Sequence, residues 1–378
     1  MRSIRLGSLM GIPLFINPGW FIIAALTIWL LAFQFFPTAL PGSSRIMHIG
    51  MALVSALIFF SSIVLHELAH SVVAKRYGIP VSSITLFIFG GVAHITREAA
   101  RPANELLMAA AGPATSLALG ALFVGIWLLL GADLSSPVGL TIAFSGWMNI
   151  ILGVFNMLPA FPMDGGRVFR SIIWYFTGSY SRATSVAGWT GRGFSWMLIT
   201  LGAFAIVGID VYIAANPLGG IWLVLIGLFL DNGARRSLVQ LTYVRELNRF
   251  NARDLMVEDP PIADADRSIG SLARGVIEIN PRVCFFVEDR GVLAGILSAY
   301  EVREVPEELW DRVTAREAMV PRQNLRPMAP ETPVSDVLLE MENEGLLHTP
   351  VVDGGRVIGI IGRERIVNVL RQAGLIRG

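Results

Sequence analysis

The chain reads as a polytopic α-helical membrane protein of about six spans with a small membrane-associated β region, followed by a soluble α/β tandem repeat. Three observations predict this. A mean hydropathy of +0.60 and a 53% share of hydrophobic residues exceed what an ordinary soluble protein carries. Charge is split along the chain: residues 1–242 hold 13 Lys/Arg against 7 Asp/Glu, whereas residues 243–378 hold 17 against 22. The acidic stretch also repeats itself, since Ala252–Val257 (ARDLMV) returns as Ala315–Val320 (AREAMV), and Gly291–Ser298 (GVLAGILS) returns as Gly355–Gly362 (GRVIGIIG).

Taken in order, the apolar segments lie near Gly19–Phe36, Ile49–Ala74, Glu105–Leu130, Val138–Leu158, Gly193–Ile209 and Leu218–Leu230. Roughly 20 helical residues cross the hydrocarbon core, so the shorter ones are marginal spans. Positive residues set the orientation. Arg2 and Arg5, then Lys75, Arg76, Arg97 and Arg101, then Arg167, Arg170, Arg182 and Arg192, and finally Arg235 and Arg236 fall on one side. The other side has only Arg45, beside Asp133 and Asp210. This predicts cytoplasmic N- and C-termini and an even number of spans in the cell membrane. Val81–Ile95 (VSSITLFIFGGVAHI) alternates and is β-branched, so it reads as a strand or hairpin at the membrane, with an edge able to take an extended peptide as an added strand. Each soluble repeat ends as strand, Gly turn, strand and helix. The expected boundaries are a membrane domain over 1–235 and a soluble pair over 246–378, divided at about 246–309 and 310–372. A single cysteine, Cys284, excludes an internal disulfide and fits a reducing compartment.

The second apolar segment carries His66, Glu67 and His70 in Ser61–Gly78 (SSIVLHELAHSVVAKRYG). Ionisable groups inside a span are expensive and mark function. His66 and His70 are i and i+4, so they share a helix face and can hold one metal. Glu67 is placed to act as general base on a metal-bound water rather than to ligate. With Lys75 as the end of the span, His66 lies about 13 Å deep, so water needs a route to it. A catalytic zinc usually takes a third protein ligand. The membrane half offers His48, His94, Asp133, Asp164, Asp210, Asp231, Glu98 and Glu105. Asp164 leads, because it sits in Asn156–Val168 (NMLPAFPMDGGRV), where Pro159 and Pro162 break the helix at membrane depth. The bland alternative is a turn Asp before Gly-Gly. His94 is the rival, and His48 is too far along the helix.

His-Glu-Leu-Ala-His at 66–70, with Asn-x-x-Pro-x-x-x-x-Asp-Gly at 156–165, resembles the site-2 proteases, intramembrane zinc metalloproteases that cut transmembrane segments of regulators. The likeness covers roughly residues 5–232, including the N-terminal Leu6–Phe21 and the FGGVAHI loop. The tandem repeat resembles a pair of cystathionine-β-synthase (CBS) domains over about 246–372. The resemblance implies one Zn2+ per chain on His66, His70 and Asp164, Glu67 as catalytic acid/base, and Asn156 near the scissile bond. An Asn before Pro is also a simple helix or turn cap. It further implies a transmembrane protein substrate, a lipid environment, a homodimer through the CBS domains and no nucleic acid. Nucleotide-binding CBS domains usually carry Ser/Thr-x-x-Asp on the ribose. Here those stretches read Ser298–Glu301 (SAYE) and Gly362–Arg365 (GRER), which leaves an adenine nucleotide open. A CBS-regulated transporter or channel is the alternative class, but it predicts polar residues spread through several spans. A non-catalytic scaffold that keeps the metal leaves Glu67 without a task.

Overall fold

A computed structural model describes residues 3–87, 90–95, 99–209, 217–277, 283–354 and 356–374. Arg2, Arg97, Glu98, Asp210 and Gly355, named above, lie outside these residues, as do 88 and 89 of the strand-bearing loop. The chain divides into two compact units, Met1–Leu241 and Thr242–Gly378.

The first unit opens with a hairpin, β1 (Ile4–Leu9) and β2 (Ile12–Ile16). An apolar helix follows, α1 (Gly19–Leu30), with a π-helical turn at Leu31–Phe35 and a short α2 (Phe36–Ala39). The long helix α3 (Arg45–Arg76) starts where the Ser44 side chain accepts the Met47 N–H, and ends at Lys75 and Arg76 before Gly78. Next come β3 (Val81–Phe87), β4 (Gly90–Ile95), α4 (Pro102–Leu129) and α5 (Pro137–Asn156). The unit closes with α6 (Asp164–Thr177), α7 (Tyr180–Ile206) and most of α8 (Pro217–Leu247).

Five stretches among the described residues are long and apolar enough to cross a membrane: Gly19–Ala39, α3, α4, α5 and α8. The expected segment at Gly193–Ile209 is the second half of α7, whose first half carries Arg182 and Arg192. That polar half keeps the helix as a whole below the same measure. Lipid is as apolar as leucine, so span packing relies on close approach at small residues. Thus α4 meets α5 through Gly120 and Gly146, where a Cβ at Gly120 would stand 2.6 Å from Ile150.

Val81–Phe87 and Gly90–Ile95 pair as antiparallel strands, and they join a larger sheet that sequence reading missed. The order is β1-β2-β3-β4, with β2 parallel to β3 and both outer pairs antiparallel. Ile12, Leu14 and Ile16 alternate with exposed or half-exposed neighbours, and with Ile84 and Leu86 they bury against Ile63 of α3. The sheet therefore lies along the helix that carries His66, with β4 at an edge.

Several arginines expected in cytoplasmic loops are tied into helices instead. Arg170 on α6 is buried and bonds Glu105 on α4, with Nε to Oε1 at 2.8 Å. Arg192 on α7 and Arg235 both reach Asp231 on α8, at 2.9 and 2.6 Å.

Among the described residues the second unit has a core in each of two sheets and a third cluster with residues of both (Cys284, Phe286, Ile296, Leu325 and Ile360), and the sheets do not follow the repeat order. One sheet runs β6-β7-β8-β9 (Ile262–Asp264, Cys284–Asp289, Val292–Ser298, Val320–Pro321, with β5 at Val257–Glu258 elsewhere). The other runs β10-β11-β5 (β10 His348–Asp353, β11 Arg356–Gly362). The first ARDLMV copy thus pairs with the second repeat, and the AREAMV copy pairs with the first. Their helices follow: Ala252 and Leu255 pack with Val337 and Ile361, and Ala315 packs with Val287 and Leu297.

Candidate metal centre

The irregular loop after α5 delivers Asp164 at the first position of α6. Two glycines follow because nothing larger fits. A Cβ at Gly165 would stand 2.3 Å from the Leu158 carbonyl oxygen, and one at Gly166 would stand 2.8 Å from the Ala160 carbonyl carbon. The Asp-Gly-Gly sequence is therefore a tightly packed helix start, and the simple turn reading does not describe it.

Asp164 meets the histidines of α3. Its Oδ2 lies 3.0 Å from His66 Nε2 and 3.1 Å from His70 Nε2. One ligand atom from each of the three residues falls within 4.8 Å of the other two. Both imidazoles are buried, at 4% exposure each. Their other nitrogens are engaged: His66 Nδ1 with Ser116 Oγ at 2.8 Å, and His70 Nδ1 with the Met108 carbonyl at 2.7 Å. Such outer partners fix ring orientation and tautomer in metal sites.

The donor set fits a cation. The Met108 carbonyl can only accept, so His70 Nδ1 donates to it. In the neutral ring, Nε2 is then a bare lone pair facing a carboxylate oxygen. Two acceptors at 3.1 Å repel unless a metal or a second proton lies between them. Gly112 supplies the room, because a Cβ there would stand 2.2 Å from His70 Nε2 and 2.5 Å from His66 Nε2. Two imidazoles and one carboxylate form a three-ligand set of the kind used by catalytic zinc.

Glu67 is half-buried beside this cluster, and its Oε2 accepts the Ala93 N–H of β4 at 3.1 Å. A Cβ at Gly91 would stand 2.5 Å from Glu67 Cγ, so β4 lies directly against this side chain. Asn156 ends α5, and its amide donates to the Leu152 carbonyl at 2.9 Å, as a helix-end residue does. The rival ligands lie elsewhere. His94 is exposed on β4. His48 contacts the Leu40 carbonyl at 3.1 Å, Asp133 bonds Ser135, Glu105 bonds Arg170, and Asp231 bonds Arg192.

Sequence reading missed Met108, Gly112, Ser116 and the Ala93 N–H. A run of small residues in a span, Ala109–Ser116 (AAAGPATS), was the available signal of close approach. Backbone donors and acceptors leave no such signal.

The family model described as Peptidase family M50 matches residues 54–139 and 131–201, and that of the CBS domain matches 316–372. A Synechocystis protein described as a candidate zinc metalloprotease is 34% identical, over 98% of this chain and 96% of its own. A zinc metalloprotease of Methanocaldococcus jannaschii is 26% identical, over 97% and 96%. The solved site-2 protease from the same organism is 28% identical and covers 63% of this chain and 95% of its own, with a TM-score of 0.42.

Proposed function

The chain belongs to Peptidase family M50, the site-2 proteases, as a membrane zinc metalloprotease with a C-terminal CBS domain, and from that premise we propose that it cleaves transmembrane segments of substrate proteins. His66, His70 and Asp164 are the proposed zinc ligands, and Glu67 is the proposed general acid/base. The single observation that carries this reading is convergence. Two histidines of α3 and a carboxylate 94 residues beyond His70 meet in one cluster, with Glu67 beside them. Family membership displaces the transporter or channel reading.

Zinc on these ligands supplies Lewis acidity, polarising a scissile carbonyl and making water a better nucleophile near neutral pH. The protein's own groups do the rest. Ser116 and Met108 hold the imidazoles in place. Glu67 takes a proton from the attacking water and passes it to the leaving amine. Peptide bonds of a helical segment are shielded by their own hydrogen bonds, so a substrate unwinds locally before attack. The β4 edge beside Glu67 supports docking of the unwound segment as an added strand. Asn156 serves near the scissile bond only if its amide leaves the Leu152 carbonyl.

The positive residues support cytoplasmic termini and a cytoplasmic CBS pair. For that pair we propose a regulatory or dimerising role. Its ribose-binding pattern is compromised twice. Glu301 accepts the Ser298 N–H at 2.8 Å in a capping box, and Gly362 has no hydroxyl. Calorimetric titration of the full chain with ATP, ADP and AMP decides whether a nucleotide is involved. For the protease itself, purified protein is analysed for metal and assayed on a transmembrane substrate beside Glu67→Gln. One zinc per chain in both proteins, with cleavage down at least ~100-fold in the variant, is the expected result. Cleavage near wild type in the variant refutes the role of Glu67.

A further inference from the structure

A second feature of α3 and α4 lies outside the metal cluster. Between them runs a cleft of about 370 Å³, lined by Leu65, Leu68, Ala69 and Val72 of α3 and by Ala111 and Thr115 of α4. The α3 positions recur at three- and four-residue steps, so they form one stripe along the helix. This stripe differs from the face that carries His66 and His70. The only side-chain hydroxyl in the lining is that of Thr115, and it already donates to the Ala111 carbonyl at 2.8 Å. The cleft wall thus presents apolar surface and no waiting hydrogen-bond donor.

One end of the cleft is different. Arg76 closes it at the last turn of α3, opposite Met10 at the tip of the β1–β2 hairpin. Lys75 is occupied there, donating to the Met10 carbonyl at 3.2 Å. Arg76 is exposed and has no ion pair or hydrogen-bond partner among the described residues. Tyr77 follows it, 42% exposed. A Lys-Arg-Tyr cluster ending an apolar span marks headgroup depth. From Leu65 to Arg76 the cleft runs eleven residues, about 16 Å, or half of a ~30 Å hydrocarbon core. It therefore has the length of one leaflet, an apolar wall and a free cation at the headgroup end.

We propose that this cleft is a binding site for one anionic phospholipid, with an acyl chain along Leu65–Val72 and the phosphate at Arg76. Charge complementarity selects the occupant: an uncharged lipid leaves Arg76 unmatched, and a free phosphate leaves the apolar wall uncovered. The lipid packs against the two helices whose neighbouring positions, His66, His70, Gly112 and Ser116, build the metal cluster.

The test uses the full chain, delipidated in mild detergent and equilibrated with vesicles of phosphatidylcholine alone or mixed equimolar with phosphatidylglycerol. Native mass spectrometry then counts the lipids retained. Wild type is expected to keep one phosphatidylglycerol in preference to phosphatidylcholine. Arg76→Gln should lower that preference about fivefold, the fold-change of one cation near an anionic headgroup. Ala69→Trp fills the cleft and should abolish retention of either lipid, with zinc content and melting temperature confirming its fold. Because Arg76 is exposed, Arg76→Gln decides the matter if the tryptophan variant does not fold. Undiminished preference in Arg76→Gln, no preference in wild type, or undiminished lipid retention in folded Ala69→Trp overturns the proposal.

Discussion

Gly112→Ala tests the metal centre through a residue that has no ligating group. An added Cβ would stand 2.2 Å from His70 Nε2 and 2.5 Å from His66 Nε2. Ordinary contact begins near 3.4 Å, so the nearer ring is short by about 1.2 Å. Neither ring can turn freely, because each Nδ1 is held, by the Met108 carbonyl or by Ser116. Metal–ligand distances tolerate only about ±0.2 Å. Loss of a single outer partner typically costs 10–100-fold in metal affinity. Displacing two ligand atoms at once should therefore exceed ~100-fold, or about 3 kcal/mol. The assay is chelator competition for zinc in the purified variant, with a thermal melt of the zinc-free protein alongside. The expected result is zinc affinity reduced by that factor and cleavage lost with it. A variant that binds zinc within about tenfold of wild type and still cleaves would refute the cradle at Gly112, and with it the proposed position of the metal.

Three further outcomes are expected. Asp164→Ala should lose zinc and His94→Ala should keep it, because among the described residues Asp164 joins the two imidazoles and His94 does not; metal analysis showing the reverse would reassign the third ligand. Glu105→Ala should destabilise by roughly 3–5 kcal/mol by leaving the Arg170 charge buried, and Glu105→Met with Arg170→Met should recover most of it; denaturation in detergent checks both, and a Glu105→Ala melt like wild type counts against the pair. In the soluble unit, burial pushes the His348 imidazole below its ordinary value, only partly opposed by Glu301 and Glu364. With the folded value depressed, its contribution is present above the unfolded pKa of about 6.5 and is lost as pH falls through the folded one. His348→Gln should therefore flatten the decline in melting temperature below about pH 6.5, and an unchanged decline would show that another group causes it.

The local parts of this protein were legible in one dimension. Apolar runs of membrane length, the i, i+4 histidines, the glutamate between them and the 63–64-residue repeat each depend on neighbours within one helix, strand or repeat. The same holds for the strand reading of Val81–Ile95, which rests on alternation. The prolines and glycines around Asp164 single it out, since broken helix at membrane depth needs a reason.

Other features depended on which segments meet. The local sequence singles out Asp164 over Asp133, yet nothing in it brings Asp164 to histidines nearly a hundred positions away; the packing of α6 against α4 places it there. Gly112 looks like any small residue of a span until two imidazoles are found over it. Arg170 and Arg192 counted as loop cations in sequence, yet each is committed to a carboxylate on another helix. The β1–β2 hairpin needed β3 as a parallel neighbour before it belonged to a sheet. In the soluble unit the sequence shows two copies, whereas the strands cross over, each ARDLMV-like segment completing the other copy's sheet. The sequence by itself determined helices, motif and repeat, because side-chain chemistry and period act over a few residues. Only the tertiary structure brought the Asp164 carboxylate to the two histidines, set the Met108 carbonyl and the Ser116 hydroxyl against the imidazoles and paired the repeats. Those are contacts between distant segments, and a main-chain N–H or carbonyl is the same whichever residue bears it.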